Sequence, residues 1–260
     1  MTPTALPHAL DRRLLIRARP STVFRYFTDS ERWASWWGAG STIDPVPGGR
    51  VHIRYPNAVE AGGEVVEIDA PKRIVFTMGY ANGQPMPLGA SRVTITLAAD
   101  PAGTRLHLQH EFADAAVRDQ HVQGWRYQLS IFANVASDQA QAAAAERIDA
   151  WFAAWSEPEA TRREALLAGA VAAGVAFRDR FSAVDGLDDL KPHLAAVHVF
   201  MPGMRLERSG AVRHCQGTAL ADWIARGADG AERGRGTNVF ALDADGRIAD
   251  VVGLWGAPGA

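Results

Sequence analysis

The 260-residue sequence predicts an α+β protein built from two domains that follow one another along the chain. Two observations carry this prediction. The first half consists of short runs with strand-like alternation, closed by one long amphipathic helix. The second half begins again with helices before a new series of strands. A chain of this length also suits two domains of about 100–150 residues each better than one compact core.

In the first half, a strand over His8–Ala18 precedes a helix that Pro20 and Ser21 start. Alternation then predicts four strands with their apolar face at Val51, Ile53, Tyr55, Val66, Ile68, Ile74, Phe76, Met78, Val93, Ile95 and Leu97. A last strand places Leu106, Leu108, His110 and Phe112 on one face. These strands are expected to form an antiparallel sheet with one apolar side.

A long helix is predicted from Ala115 to about Ala145, because only Gly124 in this stretch disfavours helix. Its apolar residues recur at three- and four-residue spacing, at Val122, Trp125, Leu129, Phe132 and Ala136. This stripe must cover the apolar side of the sheet.

The first half resembles the helix-grip fold of the START and Bet v 1-like (SRPBCC) superfamily. The features that carry the resemblance are ERWASWWG, the Pro45–Gly49 motif PVPGG and HVQGWRYQL. Within that superfamily they resemble the family of homologues of the activator of heat-shock-protein-90 ATPase. The resemblance covers roughly residues 8–141.

The second half begins with the helices AERIDAWFAAWSEPE and TRREALLAGAV. The strand VAFRDRF and the helix LDDLKPHLAAVHVF follow, and then strands are expected at 204–208, 211–226 with an irregularity near Gly217, 235–243 and 248–255. The segment from Asp243 to Gly246 predicts a hairpin turn.

Through FRDRFSAVDGLDDL and LDADGRIADVVGLW, residues 144–256 resemble the SnoaL-like branch of the nuclear-transport-factor-2-like superfamily. The resemblance implies a cone-shaped α+β barrel. We therefore expect a helix-grip domain over residues 1–143 and a SnoaL-like domain over residues 144–260, and the second resemblance further implies a homodimer.

Composition excludes several classes of function. A net charge of −2 argues against nucleic-acid or anionic-membrane binding by bulk electrostatics. The single Cys215 excludes an intrachain disulfide, and no signal-peptide-length or membrane-length apolar run is present. We expect a cytoplasmic protein, and its preference for arginine over lysine hints at a GC-rich bacterial genome.

A cavity between a curved sheet and its covering helix suits a hydrophobic guest. Its wall is expected to include Tyr55, Met78 and Trp125, with Trp33, Trp36 or Trp37 near one mouth. His110 occupies an apolar strand position and needs a hydrogen-bond partner, so it could orient a ligand, act as a base or be a satisfied core histidine.

No metal site is expected. Strand alternation sends His107 and His110 to opposite faces of the sheet, and the five-residue spacing of His193 and His198 makes them diverge on a helix. No cofactor is expected either.

In the second domain, Asp179 stands where the SnoaL-like and ketosteroid-isomerase-like resemblance places a catalytic base, with Phe181 at the mouth of the cone. The two donor positions of those isomerases correspond to Trp151 and Asn238, which donate more weakly than the usual acids, so steroid isomerisation is not expected. His214 is a possible partner of Asp179, and Trp223 is expected to line the cone. Asp179 could instead have a purely structural role.

Three functions follow from the sequence. The first is binding of a hydrophobic or aromatic small molecule in one or both pockets. The second is a cofactor-independent cyclase, isomerase or hydratase that uses Asp179. The third is a chaperone-interacting module, which rests on the resemblance of the first domain alone.

Overall fold

The structure is a computed structural model that describes residues 5–256. The chain forms two compact units, the first reaching Ser137 and the second beginning at Asp138. Each unit has its own sheet and its own hydrophobic core.

The first unit contains a seven-stranded antiparallel sheet with the order β1-β7-β6-β5-β4-β3-β2. Its strands are β1 (His8–Ile16), β2 (Thr42–Ile43), β3 (Arg50–Arg54), β4 (Glu60–Asp69), β5 (Arg73–Tyr80), β6 (Ser91–Asp100) and β7 (Gly103–Phe112). The first strand therefore closes onto the last, as His8 pairs with Phe112 and Ile16 with Thr104.

Three helices accompany this sheet: α1 (Pro20–Phe24), α2 (Ser30–Trp37) and α3 (Ala115–Ala140). A 3-10 turn over Arg25–Phe27 joins the first two. The helix α2 begins where the Asp29 carboxylate accepts a hydrogen bond from Arg32 N at 3.0 Å, which satisfies one of the free N–H groups of its first turn. Its apolar face buries Trp33, Trp36 and Trp37.

The long helix covers the apolar face of the sheet, and Trp125, Leu129, Phe132 and Ala136 are buried as predicted. The helix ends at Ala140, before the predicted end at Ala145.

The apolar face of β7 is also confirmed, because its four predicted residues are all buried. The prediction for Val66 is wrong. A β-bulge between Val65 and Glu67 reverses the alternation, so that Val65 is buried and Val66 is 51% exposed.

The second unit contains helices α4 (Ala144–Ser156), α5 (Ala160–Ala170) and α6 (Leu187–Phe200). Its strands are β8 (Val171–Arg178), β9 (Ala183–Asp185), β10 (Arg205–Cys215), β11 (Thr218–Arg226), β12 (Glu232–Leu242) and β13 (Ile248–Trp255). They form one sheet with the order β10-β11-β12-β13-β8-β9, in which only β13 and β8 run parallel.

The α+β class is confirmed in both units. Two details predicted for the second unit, its closed barrel and its strand over 211–226, are corrected. Within residues 5–256, the second sheet is open and does not close into a barrel. The predicted strand 211–226 is two strands that meet in a hairpin at Gln216 and Gly217, where both residues have positive φ angles of 46° and 87°. The irregularity lies earlier, between Ser209 and Arg213.

Candidate functional site

The first unit contains a cavity of about 620 Å³ between the end of α2, the loop after β3, the strand β5 and the helix α3. The expected wall residues Tyr55, Met78 and Trp125 line it, as do Trp36 and Trp37 of the three tryptophans on α2. Trp33 does not line it: this residue is fully buried and donates a hydrogen bond from Nε1 to His52 O at 3.1 Å.

Aromatic side chains pack edge to face around this cavity. The ring of Trp37 lies 5.5 Å from that of Trp125 and 5.8 Å from that of Tyr55, with interplanar angles of 72° and 84°. Such contacts hold large rings in fixed orientations. In addition, the Gln128 side chain on α3 donates a hydrogen bond to Trp36 O, which ties the end of α2 to α3.

The wall of the cavity is uncharged. No described residue that lines it is Asp, Glu, Lys or Arg, and its polar side chains are hydroxyls, amides and the imidazole of His121. A charged ligand would lose its hydration here without gaining an opposite charge.

A buried chain of hydrogen bonds lies behind this wall. Trp125 Nε1 donates to His110 Nδ1 at 2.8 Å, His110 Nε2 lies 2.8 Å from Ser91 Oγ, and Ser91 Oγ donates to Met78 O at 2.8 Å. The indole N–H can only donate, so Nδ1 of His110 carries no proton and Nε2 does. Burial lowers the pKa of His110 well below its ordinary value, and the nearby His121 lowers it further.

His110 is therefore a neutral core histidine with both ring nitrogens bonded inside the protein. It is fully buried and does not line the cavity, which agrees with the alternative of a satisfied core histidine. Trp125 stands between it and the cavity, and the role of His110 is to hold that indole.

A second hydrogen-bonded chain does reach the cavity. His121 Nδ1 lies 2.7 Å from Val117 O, and His121 Nε2 lies 3.1 Å from the Tyr80 hydroxyl. Tyr55, Tyr80 and His121 all line the cavity.

Sequence reasoning missed Tyr80 and His121, although each carried a signal. Tyr80 follows Met78 by two residues on the same strand, and His121 precedes Trp125 by four residues on α3. Both spacings place the polar residue on the face that the prediction assigned to the wall.

The second unit contains a cavity of about 510 Å³ beneath its sheet. Of the predicted residues, Asp179, Phe181, Trp223 and Asn238 line it. Asn238 is buried, Asp179 is half-buried just after β8, and Phe181 is 70% exposed at the mouth.

Asp179 is held by three hydrogen bonds. Its Oδ1 accepts from Phe181 N at 2.8 Å, its Oδ2 accepts from Trp255 Nε1 at 3.0 Å, and its own N–H donates to Ser182 O at 2.9 Å. The carboxylate therefore has a fixed orientation, and its remaining lone pairs are free of these bonds.

Asn238 is oriented in a similar way. Its Oδ1 accepts a hydrogen bond from Trp223 Nε1 at 2.9 Å, which leaves the amide N–H₂ as a donor. Gly253 separates the two residues: a Cβ placed there would lie 3.0 Å from Asp179 Cβ and 3.3 Å from Asn238 Oδ1. The absence of a side chain at Gly253 keeps Asp179 and Asn238 open to the same space.

Two predicted residues lie elsewhere. Trp151 is fully buried among Phe177, Phe240 and Trp155. Of the two tryptophans on α4, it is Trp155, one helical turn later, that lines the cavity. His214 lies at the hairpin end of β10, where Nδ1 is 2.9 Å from Asp138 Oδ1 and Nε2 is 2.5 Å from Gln141 Oε1. Neither Trp151 nor His214 lines this cavity.

The histidine that does line this cavity is His193 on α6, which the sequence analysis considered only as a metal ligand. Its Nε2 lies 3.3 Å from Ser182 Oγ, and its ring packs 5.7 Å from that of Trp155. Asp179, Asn238 and His193 are thus the polar groups that a guest in this cavity would meet beside Ser182 and Arg233.

Within residues 5–256, no group of three or more His, Cys, Asp or Glu side chains is arranged to hold a metal ion. In the same residues, no helix combines the length and the apolar character that crossing a bilayer requires.

A family model and several solved structures match parts of this chain. Residues 17–137 match the family model of the activator of Hsp90 ATPase homolog 1-like proteins. An AHSA1-like protein from Rhizobium etli is 30% identical over 51% of this chain and 85% of its own length, with a TM-score of 0.42. The N-terminal half of the chain belongs to this family.

Two further solved structures are similar. A SnoaL-like family protein from Agrobacterium tumefaciens, designated an isomerase, is 25% identical over 46% of this chain and 99% of its own length, with a TM-score of 0.42. The Aha1 dimer from Colwellia psychrerythraea is 15% identical over 47% of this chain and 90% of its own, with a TM-score of 0.41. No curated protein matches the sequence. Both families that the sequence predicts are represented among these matches.

The buried histidines predict a dependence of stability on pH. The folded-state pKa values of His110 and His121 lie below the value of about 6.5 expected for an unfolded chain, so the unfolded state binds more protons below that pH. The free energy of unfolding of the first unit should be greatest above pH 6.5 and fall as the pH drops below it. The decrease should approach about 1.4 kcal/mol per pH unit for each histidine.

Chemical denaturation followed by the NMR signal of the Trp125 indole would measure this dependence. The variant His121→Leu should show a shallower decrease, whereas His107→Gln, which changes a partly exposed histidine paired with Asp11, provides the control. A free energy of unfolding that stays constant in the wild-type protein between pH 6.5 and 5 would contradict the assignment.

Proposed function

We propose that the N-terminal unit binds an uncharged, largely aromatic small molecule in the cavity between α2, α3 and the sheet. The observation that carries the proposal is a cavity of about 620 Å³ with aromatic walls, no charged lining residue and one polar edge at Tyr55, Tyr80 and His121. Cavities of this size and composition are typical of small-molecule sites.

The energetics favour a ring-shaped apolar guest. Burying an aromatic side chain or ligand ring removes about 150–250 Å² from water, and each Å² of apolar area contributes about 25 cal/mol. One ring placed against Trp37 and Trp125 would therefore gain several kcal/mol before the cost of immobilisation.

Binding without chemistry is the simpler function for this cavity. Both ring nitrogens of His110 and both of His121 are hydrogen-bonded inside the protein, and no lining residue supplies a carboxylate. The general acid and base that a reaction would need are therefore not offered by these groups.

Filling the cavity should abolish binding without unfolding the protein. Gly124 lies on α3 at the cavity, and a Cβ built there meets no heavy atom within 4 Å. The variant Gly124→Phe should weaken binding of the neutral fluorophore N-phenyl-1-naphthylamine at least about tenfold. Its melting temperature should not fall, because replacing a helical glycine adds up to about 1 kcal/mol of helix propensity.

Two variants serve as controls. Gly124→Ala adds helix propensity without filling the cavity, and Gly169→Phe places the same ring on α5, where the glycine also has open space. Both should bind the fluorophore as the wild-type protein does. Unchanged binding in Gly124→Phe would place the guest outside this cavity.

For the C-terminal unit we propose a second candidate function, proton transfer next to the carbonyl group of a ligand. The observation that favours it is the placement of Asp179 and Asn238 on either side of Gly253 in one largely apolar cavity. Asp179 would take a proton from the carbon beside the carbonyl, the C–H electron pair would form the enolate, and the Asn238 amide would donate to the enolate oxygen. The same carboxyl group would then return the proton.

Hydrogen–deuterium exchange tests this step without knowledge of the natural substrate. The protein should accelerate exchange of the α-protons of 2-tetralone in D₂O, measured by NMR, and Asp179→Asn should reduce the protein-dependent rate at least about tenfold. The amide retains an acceptor for Phe181 N or Trp255 Nε1, so the fold should persist.

Asp250→Asn is the matched control, since that carboxylate lies on β13 in an ion pair with Arg178 and does not line the cavity. Equal exchange rates in the wild-type protein and in Asp179→Asn would leave Asp179 with a structural role. The homodimer, the cytoplasmic location and the chaperone partner stay predictions from the sequence.

A further inference from the structure

The second unit exposes large apolar side chains at one of its ends. Within the described part of this unit, the exposed side chains of this kind are Phe181, Val199, Phe200, Met201, Leu254 and Trp255. They stand at or just after the ends of β8, α6 and β13, and the ends of β8 and β13 adjoin because these strands run parallel. A contiguous apolar patch, unlike scattered single residues, marks a surface that contacts a partner or a membrane.

Four of these side chains surround the mouth of the C-terminal cavity, and we call Phe181, Phe200, Met201 and Trp255 the cavity rim. Phe181, Met201 and Trp255 line the cavity, and the rings of Phe181 and Trp255 lie 5.1 Å apart. Phe200 is 81% exposed and follows the lining residue Val197 by three positions, which places both on one side of α6. The apolar surface therefore continues from the outside of the unit into the cavity.

The charges near the cavity rim suit an anionic surface. The Arg180 guanidinium lies 5.1 Å from the centre of the Phe181 ring, and among the described contacts it has no carboxylate partner. The nearby carboxylates are each paired with an arginine, namely Glu207 with Arg226, Asp229 with Arg233 and Glu232 with Arg235. The rim thus carries an unopposed positive charge at Arg180, although the net charge of the whole chain is −2.

We propose that the cavity rim docks on an anionic lipid bilayer, with the mouth of the cavity facing the lipid. Aromatic side chains are favoured at the membrane–water interface, and arginines there are attracted to anionic headgroups. An apolar guest would then pass between the lipid and the cavity without crossing water. This inference goes beyond the functions proposed above and requires no reaction at Asp179.

Vesicle flotation of the full-length protein tests the docking. The wild-type protein should float with phosphatidylcholine vesicles that contain about 30% phosphatidylglycerol, and less with phosphatidylcholine alone. Phe200→Ser should lower the partition constant at least about fivefold, because it removes apolar area that reaches the lipid. Its melting temperature should stay near that of the wild type, since the Phe200 side chain is exposed.

Two further variants separate the contributions. Arg180→Gln should weaken binding to the anionic vesicles and leave binding to phosphatidylcholine unchanged. Leu88→Ser is the control, because it removes an apolar side chain that is 56% exposed on the first unit. It should bind vesicles as the wild-type protein does.

A fluorescent label reports which surface meets the lipid. Cys215 is the single cysteine and is exposed, so a Cys215→Ser protein can carry one new labelling site. A nitrobenzoxadiazole label attached after Phe200→Cys should gain at least about twofold in emission and shift to the blue on anionic vesicles. The same label after Leu88→Cys should not change.

Three results would overturn the proposal: no flotation of the wild-type protein, equal partition of wild type and Phe200→Ser, or unchanged emission of the label at position 200. A second copy of the chain is the alternative occupant. If the wild-type protein is a dimer that Phe200→Ser converts to a monomer, and neither binds vesicles, the rim is an interface between copies and docking on lipid is wrong.

Discussion

The N-terminal cavity depends on the hydrogen bond from Trp125 Nε1 to His110 Nδ1. Trp125 is buried, and an indole N–H turned away from water needs an acceptor. His110 supplies it, and the bonds beyond His110 pass through Ser91 to the backbone of Met78. One polar chain therefore connects α3 to three adjacent strands, so that the sheet and the helix stay apart at a fixed distance.

The same requirement explains the polar edge inside the cavity. His121 and Tyr80 are hydrogen-bonded in one direction because the chain ends on the carbonyl oxygen of Val117, which cannot donate. In the C-terminal unit, Trp255 and Trp223 use their indole N–H groups in an equivalent way, to orient Asp179 and Asn238. In the C-terminal unit, tryptophans at the cavity wall thus orient the polar groups that a guest can reach.

Much of the fold follows from periodicity in the sequence, because alternation identified the buried face of β7 and helical spacing identified the stripe of α3. The failures have local physical causes. The bulge after Val65 shifts the alternation, and the tight hairpin at Gln216 divides a run that reads as one strand. In the sites, Asp179 and Asn238 were identified through the resemblance to the SnoaL-like and ketosteroid-isomerase-like proteins, and both line the cavity. Trp151 was identified in the same way, but Trp155, one turn later on the same helix, lines the cavity instead. These two tryptophans differ in how deeply they are buried, and the spacing of residues in the sequence does not predict that depth.

The tautomers of the two buried histidines test this account most directly. Long-range ¹H–¹⁵N NMR at pH 7 should show His110 neutral with its proton on Nε2, and His121 neutral with its proton on Nδ1. A proton on Nδ1 of His110 would be incompatible with donation from Trp125, and an imidazolium or a proton on Nε2 at His121 would be incompatible with donation from Tyr80. Either result would contradict the account.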